Sequence, residues 1–215
     1  MLNIQRFVFS PFYENTYLIW DESTKYAAII DPGCNDDKER STLNKFIKKE
    51  LLQIKYLVNT HCHIDHIFGN AYVKEKYNPT FLAPEKDLFM LDLMIDAAKN
   101  YGVEFTPSPK PDNLIDETEP FILGESIGKF IFTPGHTPGE YCLYFEKEKI
   151  CFTGDILFRR SIGRTDLWGG DYETLLDSIR TKLFVLPGET IIYSGHESQS
   201  TIEDEKENNP FFKKR

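Results

Sequence analysis

The chain has 215 residues, with 25 Lys and Arg against 34 Asp and Glu for a formal net charge of −9. Apolar residues make up 40% and aromatics 14%, enough for a sizeable buried core and too much for a disordered or low-complexity chain. The acidic balance argues against nucleic acid or an anionic membrane surface as partner, since phosphate recognition needs a basic face.

In chain order, IQRFVF, NTYLIW and KYAAII read as three short strands separated by the turn material SPFYE and DEST. They predict an antiparallel meander that stops at Asp31-Pro32-Gly33. A helix is expected over 36–51, where Leu43, Phe46, Ile47 and Leu51 mark one apolar face. IKYLVNT then reads as a buried strand running into His61. Beyond it the pattern predicts a helix over 65–77, a strand TFLA, a helix over 85–101 stopped by Gly102, and a Pro-rich surface loop, FTPSPKPDN. Strands follow near 120–123, 127–133, 141–146 and 150–153, then a helix over 172–184 and a strand ETIIYS. Mixed strands with helices at intervals, and no repeat of fixed period, predict an α/β (α+β) fold of two sheets with helices outside, as a single domain over 1–215.

The N-terminus has no basic region followed by an apolar run and a small-residue cleavage site, and no stretch approaches the ~18 uncharged apolar residues of a membrane span. Cys34, Cys62, Cys142 and Cys151 form no CxxC pair and are expected as reduced thiols in a soluble cytoplasmic protein.

Only five histidines occur, and three of them fall in Thr60-His61-Cys62-His63-Ile64-Asp65-His66. The segment lies between a predicted strand and a predicted helix, where α/β proteins place functional groups. Residues two apart in extended chain point to the same side, so His61 and His63 are placed to grip one ion. Asp65 and His66 are expected to diverge at the helix start and to serve a neighbouring ion. A lone histidine in a polar loop is usually just solvated. HxHxDH after an apolar strand instead has the ligand types and short spacing that zinc takes at ~2.0–2.1 Å. His136 in PGHTPG, His196 in YSGH and Asp155 in FTGD each sit just past a predicted strand with glycine beside them. Every histidine thus belongs to a strand-end loop, which leaves none as a spare acid or base.

The ordered set THCHIDH, PGHTPG, TGD and GH resembles the metallo-β-lactamase superfamily, over nearly the whole chain. FRRSIGRTD and STIEDEKENNPF are similar to the small glyoxalase II-like hydrolases. The resemblance implies an αββα sandwich of two mixed sheets flanked by helices, with the active site at one edge. It implies two divalent ions, zinc by default, with iron or manganese as substitutes. His61, His63 and His136 would hold the first, Asp65, His66 and His196 the second, and Asp155 would bridge them. Asp31 matches a family position that orients a metal-bound histidine; a turn cap is its other reading. Arg164 and Asp166 read as a pocket rim or, preferably, a structural salt bridge, and Cys62 as a buried inert thiol facing away from the ions. No substrate-binding residue and no oligomeric state are assigned. Two features depart from full-length glyoxalase II enzymes. The chain ends nineteen residues after His196, without the C-terminal helical domain that helps bind glutathione, and Glu197 stands where glycine often follows the histidine.

The chemistry implied is hydrolysis. Two ions ~3.5–4 Å apart lower the pKa of a bridging water towards ~7 and polarise a carbonyl, with Asp65 orienting the nucleophile. A thiolate, of free-thiol pKa near ~8.5, departs without strong protonation, whereas an amine does not. That favours a small-molecule thioester such as a hydroxyacylglutathione. Two other readings stay open. One is a mononuclear iron persulfide dioxygenase, with His61, His136 and Asp155 as a two-His-one-carboxylate set. The other is a non-catalytic module braced by metal. SIGRTDLWGGDY and the bare C-terminus favour the hydrolase, and seven ligands shared by two ions leave coordination open, unlike a closed structural zinc site.

Overall fold

In the computed structural model, which describes residues 1–213, β1 (Leu2–Phe9), β2 (Glu14–Asp21) and β3 (Tyr26–Ile30) form the expected antiparallel meander. α1 (Asp37–Lys49) starts where Asp36 accepts the Glu39 N–H at 2.8 Å while the Glu39 carboxylate accepts Asn35 N–H, also at 2.8 Å. That reciprocal pairing satisfies amides the helix cannot. Its apolar face buries Leu43 and Ile47.

β4 (Gln53–Val58) returns parallel to β3. The helix expected over 65–77 is two: α2 (Ile64–Ile67) and α3 (Asn70–Tyr77). The break is at Gly69, whose N–H donates to Pro32 O at 2.6 Å and where a Cβ would stand 2.6 Å from Cys34 Sγ. The chain passes too close to the 32–34 turn there for a side chain. β5 (Thr80–Ala83) adds parallel to β4. The helix expected over 85–101 begins as a 3-10 turn, Glu85–Asp87, and becomes α4 (Leu88–Tyr101). β6 (Asn113–Leu114), at the end of the Pro-rich loop, completes a six-stranded sheet in the order β1-β2-β3-β4-β5-β6.

A second six-stranded sheet runs β14-β13-β10-β9-β8-β7. Its strands are β7 (Pro120–Leu123), β8 (Ser126–Phe132), β9 (Tyr141–Phe145), β10 (Ile150–Gly154), β13 (Ile191–Ser194) and β14 (Ser200–Thr201). β13 lies parallel to β10, so this sheet is mixed as well. Between β10 and β13 come a small hairpin, β11 (Leu157–Phe158) and β12 (Ser161–Ile162), and then α5 (Tyr172–Ser178). The helix expected over 172–184 leaves α geometry after Ser178 and runs on as a π-helical turn, Ile179–Leu183. α6 (Ile202–Asn208), absent from the predicted elements, closes the chain with Thr201 as its cap.

The fold class is therefore the mixed α/β arrangement of two mixed sheets with helices that the sequence predicts. Two compact units divide it: Met1–Ile115 with Ile122–Ser126, and Asp116–Phe121 with the residues from 127 on. The first sheet lies wholly in the first unit, with Leu18, Ile29, Leu57 and Phe81 fully buried. In the second unit Tyr144, Ile156, Leu157, Leu175, Ile179, Leu183, Ile192 and Ile202 form one core cluster. Among the described residues no helix is long and apolar enough to cross a membrane.

Candidate metal centre

β4 carries its apolar run into the first unit's core and releases the chain at Asn59 and Thr60, so the loop holding His61 and His63 starts from a fixed point. The His61 ring stands edge-on to His63 at 4.9 Å between centroids, and its centroid is 4.0 Å from that of His66. Asp65 and His66 do not diverge as expected: Asp65 Oδ2 comes within 3.8 Å of His66 Nε2. α2 is a single turn, tightened by His66 N–H donating to His63 O at 3.1 Å, and it keeps both side-chain tips together.

Asp31 explains the rest of this loop. It ends β3 with φ of 49°, a left-handed conformation that Asp tolerates better than most residues. Its Oδ1 accepts Thr60 N–H at 2.8 Å, and its Oδ2 accepts Thr60 Oγ1–H at 2.6 Å and lies 3.2 Å from His66 Nδ1. Thr60 Oγ1 is in turn 3.1 Å from His61 Nδ1. One buried carboxylate thus reaches His61 through the Thr60 hydroxyl, which leaves Nε2 as the lone-pair nitrogen of that ring, and it also stands 3.2 Å from His66 Nδ1. Its partners Thr60 and His66 lie just past the end of the neighbouring strand β4. Asn59, which sequence reasoning passed over, donates from Nδ2 to His66 O at 3.0 Å and is braced by Asn70 at 2.7 Å. Burial pushes the Glu14 carboxyl well above the usual carboxylate range; His66 opposes the shift, and Asp31 and Asp65 add to it. Burial likewise pushes the Cys62 thiol up, with Asp87 and Asp31 adding to it, as an inert thiol requires.

The second unit holds the other three candidates. Asp155 Oδ2 lies 3.6 Å from His136 Nε2 and 3.5 Å from His196 Nε2, so two imidazoles converge on one carboxylate oxygen. His136 Nδ1 donates to Arg164 O at 2.7 Å; a carbonyl can only accept, which fixes the ring's tautomer. Asp155 N–H donates to Glu140 Oε1 at 2.6 Å, and Glu140 is fully buried. The only sequence signal for Glu140 is an acid directly after PGHTPG. A Cβ on Gly163 would stand 1.9 Å from Asp155 O and 3.1 Å from His136 Nδ1, so only glycine lets the chain pass there. Arg164 forks onto Asp166, Nε to Oδ1 at 2.7 Å and Nη2 to Oδ2 at 2.8 Å, which holds the Asp166 carboxyl at about 2. This is the structural salt bridge the sequence favours.

These groups suit a divalent ion. Asp65 Oδ2 stands 3.8 Å from His66 Nε2, and Asp155 Oδ2 stands 3.6 Å and 3.5 Å from two imidazole Nε2 atoms. Imidazole nitrogens and carboxylate oxygens without thiolate form the ligand set of catalytic zinc, iron or manganese.

The sequence profile of the metallo-beta-lactamase superfamily matches residues 10–196. The chain belongs to the metallo-β-lactamase superfamily. Within the superfamily it is 37% identical to hydroxyacylglutathione hydrolase GloC of Haemophilus influenzae over 98% of both chains. It is 32% identical to the mitochondrial persulfide dioxygenase ETHE1 of Homo sapiens over 91% of this chain and 70% of that one. The solved structure of BLEG-1 B3 metallo-beta-lactamase matches with a TM-score of 0.89 at 32% identity over the whole of both chains. That of TTHA1623 in a di-iron-bound form matches at 0.85 and 30% identity, over 96% of this chain and 99% of that one. The metallo-β-lactamase fold expected from the motifs is thereby established, and with it a divalent-metal-binding member of an enzyme superfamily.

Proposed function

We propose that the chain is a binuclear metal-dependent hydrolase, working as one catalytic domain, that cleaves small thioesters of the hydroxyacylglutathione kind. The observation that carries the reading is Asp155 Oδ2, approached by His136 Nε2 at 3.6 Å and His196 Nε2 at 3.5 Å. A carboxylate flanked by imidazoles from two different strand ends suits two ions, whereas the mononuclear set of His61, His136 and Asp155 leaves His196 unused. In this reading His61, His63 and His136 hold one ion, Asp65, His66 and His196 the other, and Asp155 serves both. The superfamily profile spans both compact units, which supports treating them as one domain.

Divalent ions held there, zinc or iron, supply Lewis acidity that acidifies water and polarises a carbonyl. The chain supplies the rest. Asp31 stands against His66 and holds His61 through Thr60, so the His61 ring presents Nε2 without reorganisation. Asp65 is the most exposed of the first unit's candidate ligands, and its carboxylate accepts a hydrogen bond from the attacking water and aims it. All five histidines are assigned to metal, so no imidazole protonates a leaving group, and a thiolate leaves without that help.

The likeness to the persulfide dioxygenase supports a second reading, one iron on His61, His136 and Asp155. Metal quantification on tag-free protein, paired with S-D-lactoylglutathione hydrolysis, separates the two. Two ions per chain with thioester turnover are expected. One iron per chain, with oxygen uptake on glutathione persulfide and no hydrolysis, would overturn the hydrolase reading.

A further inference from the structure

The C-terminal helix was not foreseen from the sequence, and the side chain at its centre is unusual. Glu205 of α6 is fully buried, yet four hydrogen bonds reach its carboxylate. Oε1 accepts Ser200 Oγ at 2.5 Å and Arg160 Nη1 at 2.8 Å. Oε2 accepts Arg160 N–H at 2.8 Å and Asn209 Nδ2 at 2.9 Å. Arg160 also forks onto Asp204, with Nη2 2.8 Å from each carboxylate oxygen, and Asn209 Nδ2 donates to Ser161 O at 3.0 Å. α6 therefore grips the tip of the β11–β12 hairpin by backbone and side chain together.

Stability alone does not account for this clasp. Arg160 is 38% exposed, and an ion pair with one partner reaching water contributes little to stability. Arg160 also sits at φ of 62°, left-handed for a residue that rarely adopts it, and such strain persists only where the surroundings impose it. What the clasp does define is the position of one strand of chain. From Arg160 and Ser161 the backbone runs through β12 to Gly163, pressed against Asp155 O, and to Arg164, whose carbonyl accepts a hydrogen bond from His136 Nδ1–H at 2.7 Å.

We infer that Glu205 is a positioning residue for His136: by gripping Arg160 from α6, it sets the Arg164 carbonyl that holds the His136 ring and its tautomer. The inference rests on the reading of His136 as a metal ligand. It gives the chain's last helix a role in the site although neither Glu205 nor Arg160 reaches an ion or substrate. Loss of such an outer partner of a ligating histidine typically weakens metal binding by about 10- to 100-fold.

The test uses Glu205→Gln and Arg160→Lys in the full chain, with two readouts besides activity. The first is zinc affinity, equivalent by equivalent, by competition with a chromophoric chelator. The second is the imidazole 15N shift pattern of the metal-free protein, which reports tautomers directly for only five histidines. In wild type His136 is expected with Nδ1 protonated. In both variants one zinc equivalent should weaken by about 10-fold or more, and His136 alone should become a tautomer mixture. Parallel thermal melts isolate a merely structural role, which would lower the Tm of Glu205→Gln and leave both readouts at wild-type values. That result, or the same result in Arg160→Lys if Glu205→Gln does not fold, overturns the inference. His136→Ala distinguishes failure of the underlying reading: if it binds two zinc ions as tightly as wild type, His136 is no ligand and the metal assignment falls instead.

Discussion

Asp31 Oδ2 and His66 Nδ1 face each other at 3.2 Å with both side chains buried. The same carboxylate holds Thr60 by its amide and its hydroxyl, so a single acidic group at the end of β3 organises the loop that leaves β4. Asp31→Ala removes all three contacts. Zinc affinity should fall by about 10- to 100-fold. Unfolding free energy should drop by about 1–3 kcal/mol because buried Thr60 groups lose their partner. Chelator competition and urea melts measure the two effects, and an unchanged affinity would leave Asp31 a purely structural residue.

Metal removal should reach both activity and stability. A ligand that binds only the folded chain stabilises it by about 2.7 kcal/mol at 100 times its Kd. Dialysis against a chelator is therefore expected to abolish thioester hydrolysis and to lower the Tm, with zinc or ferrous iron restoring both. Full turnover by chelated, metal-free protein would refute the metal assignment.

Gly163 is the tightest point around Asp155 and His136 in the second unit. Gly163→Ala places a methyl 1.9 Å from Asp155 O, and the backbone has to yield. Overpacking of this kind costs about 1–3 kcal/mol. Here the displaced atoms belong to two candidate ligands, so hydrolysis should fall much further than stability. Activity within twofold of wild type would show that Asp155 and His136 do not need this approach.

All four cysteines are free and buried, and burial pushes the Cys34 thiol to about 12. Cys142 is raised by burial as well, with Cys151 adding to the shift. A thiol reagent at pH 8 is expected to label none of them in the native chain and all four after denaturation. The sign for stability follows. Unfolded thiols ionise near 9 while Cys34 stays protonated to about 12, so stability should be lost as pH rises through that window. Stability that is flat from pH 9 upward would contradict this assignment.

The candidate ligands stood out in the sequence because each lies just past a strand end marked by an apolar run, with a glycine beside His136, Asp155 and His196. What surrounds them did not. Glu140, Asn59 and Arg164 act through contacts 15, 7 and 28 residues away in sequence, and no local pattern encodes such partners. The break at Gly69 was missed because its cause, the 32–34 turn, is a tertiary neighbour. α6 was missed for a different reason: IEDEKEN has one apolar residue, so periodicity gives no signal. What fixes that helix is the Thr201 cap and Glu205, whose main partner is Arg160. The π-helical turn at Ile179–Leu183 likewise keeps the apolar spacing of a helix while changing its hydrogen bonds, which sequence periodicity cannot distinguish.

Both sheets finish, on one side, in a strand of two residues: β6 in the first and β14 in the second. A sheet border is a template for recruiting foreign chain, and borders this short offer too few amide and carbonyl groups to nucleate a ladder. The opposite border of the second sheet, β7, begins with Pro120, which contributes no N–H. Of the four borders, only β1 has the length to seed strand addition. Any tendency of this chain to self-associate into fibres should therefore begin at its first eight-residue strand.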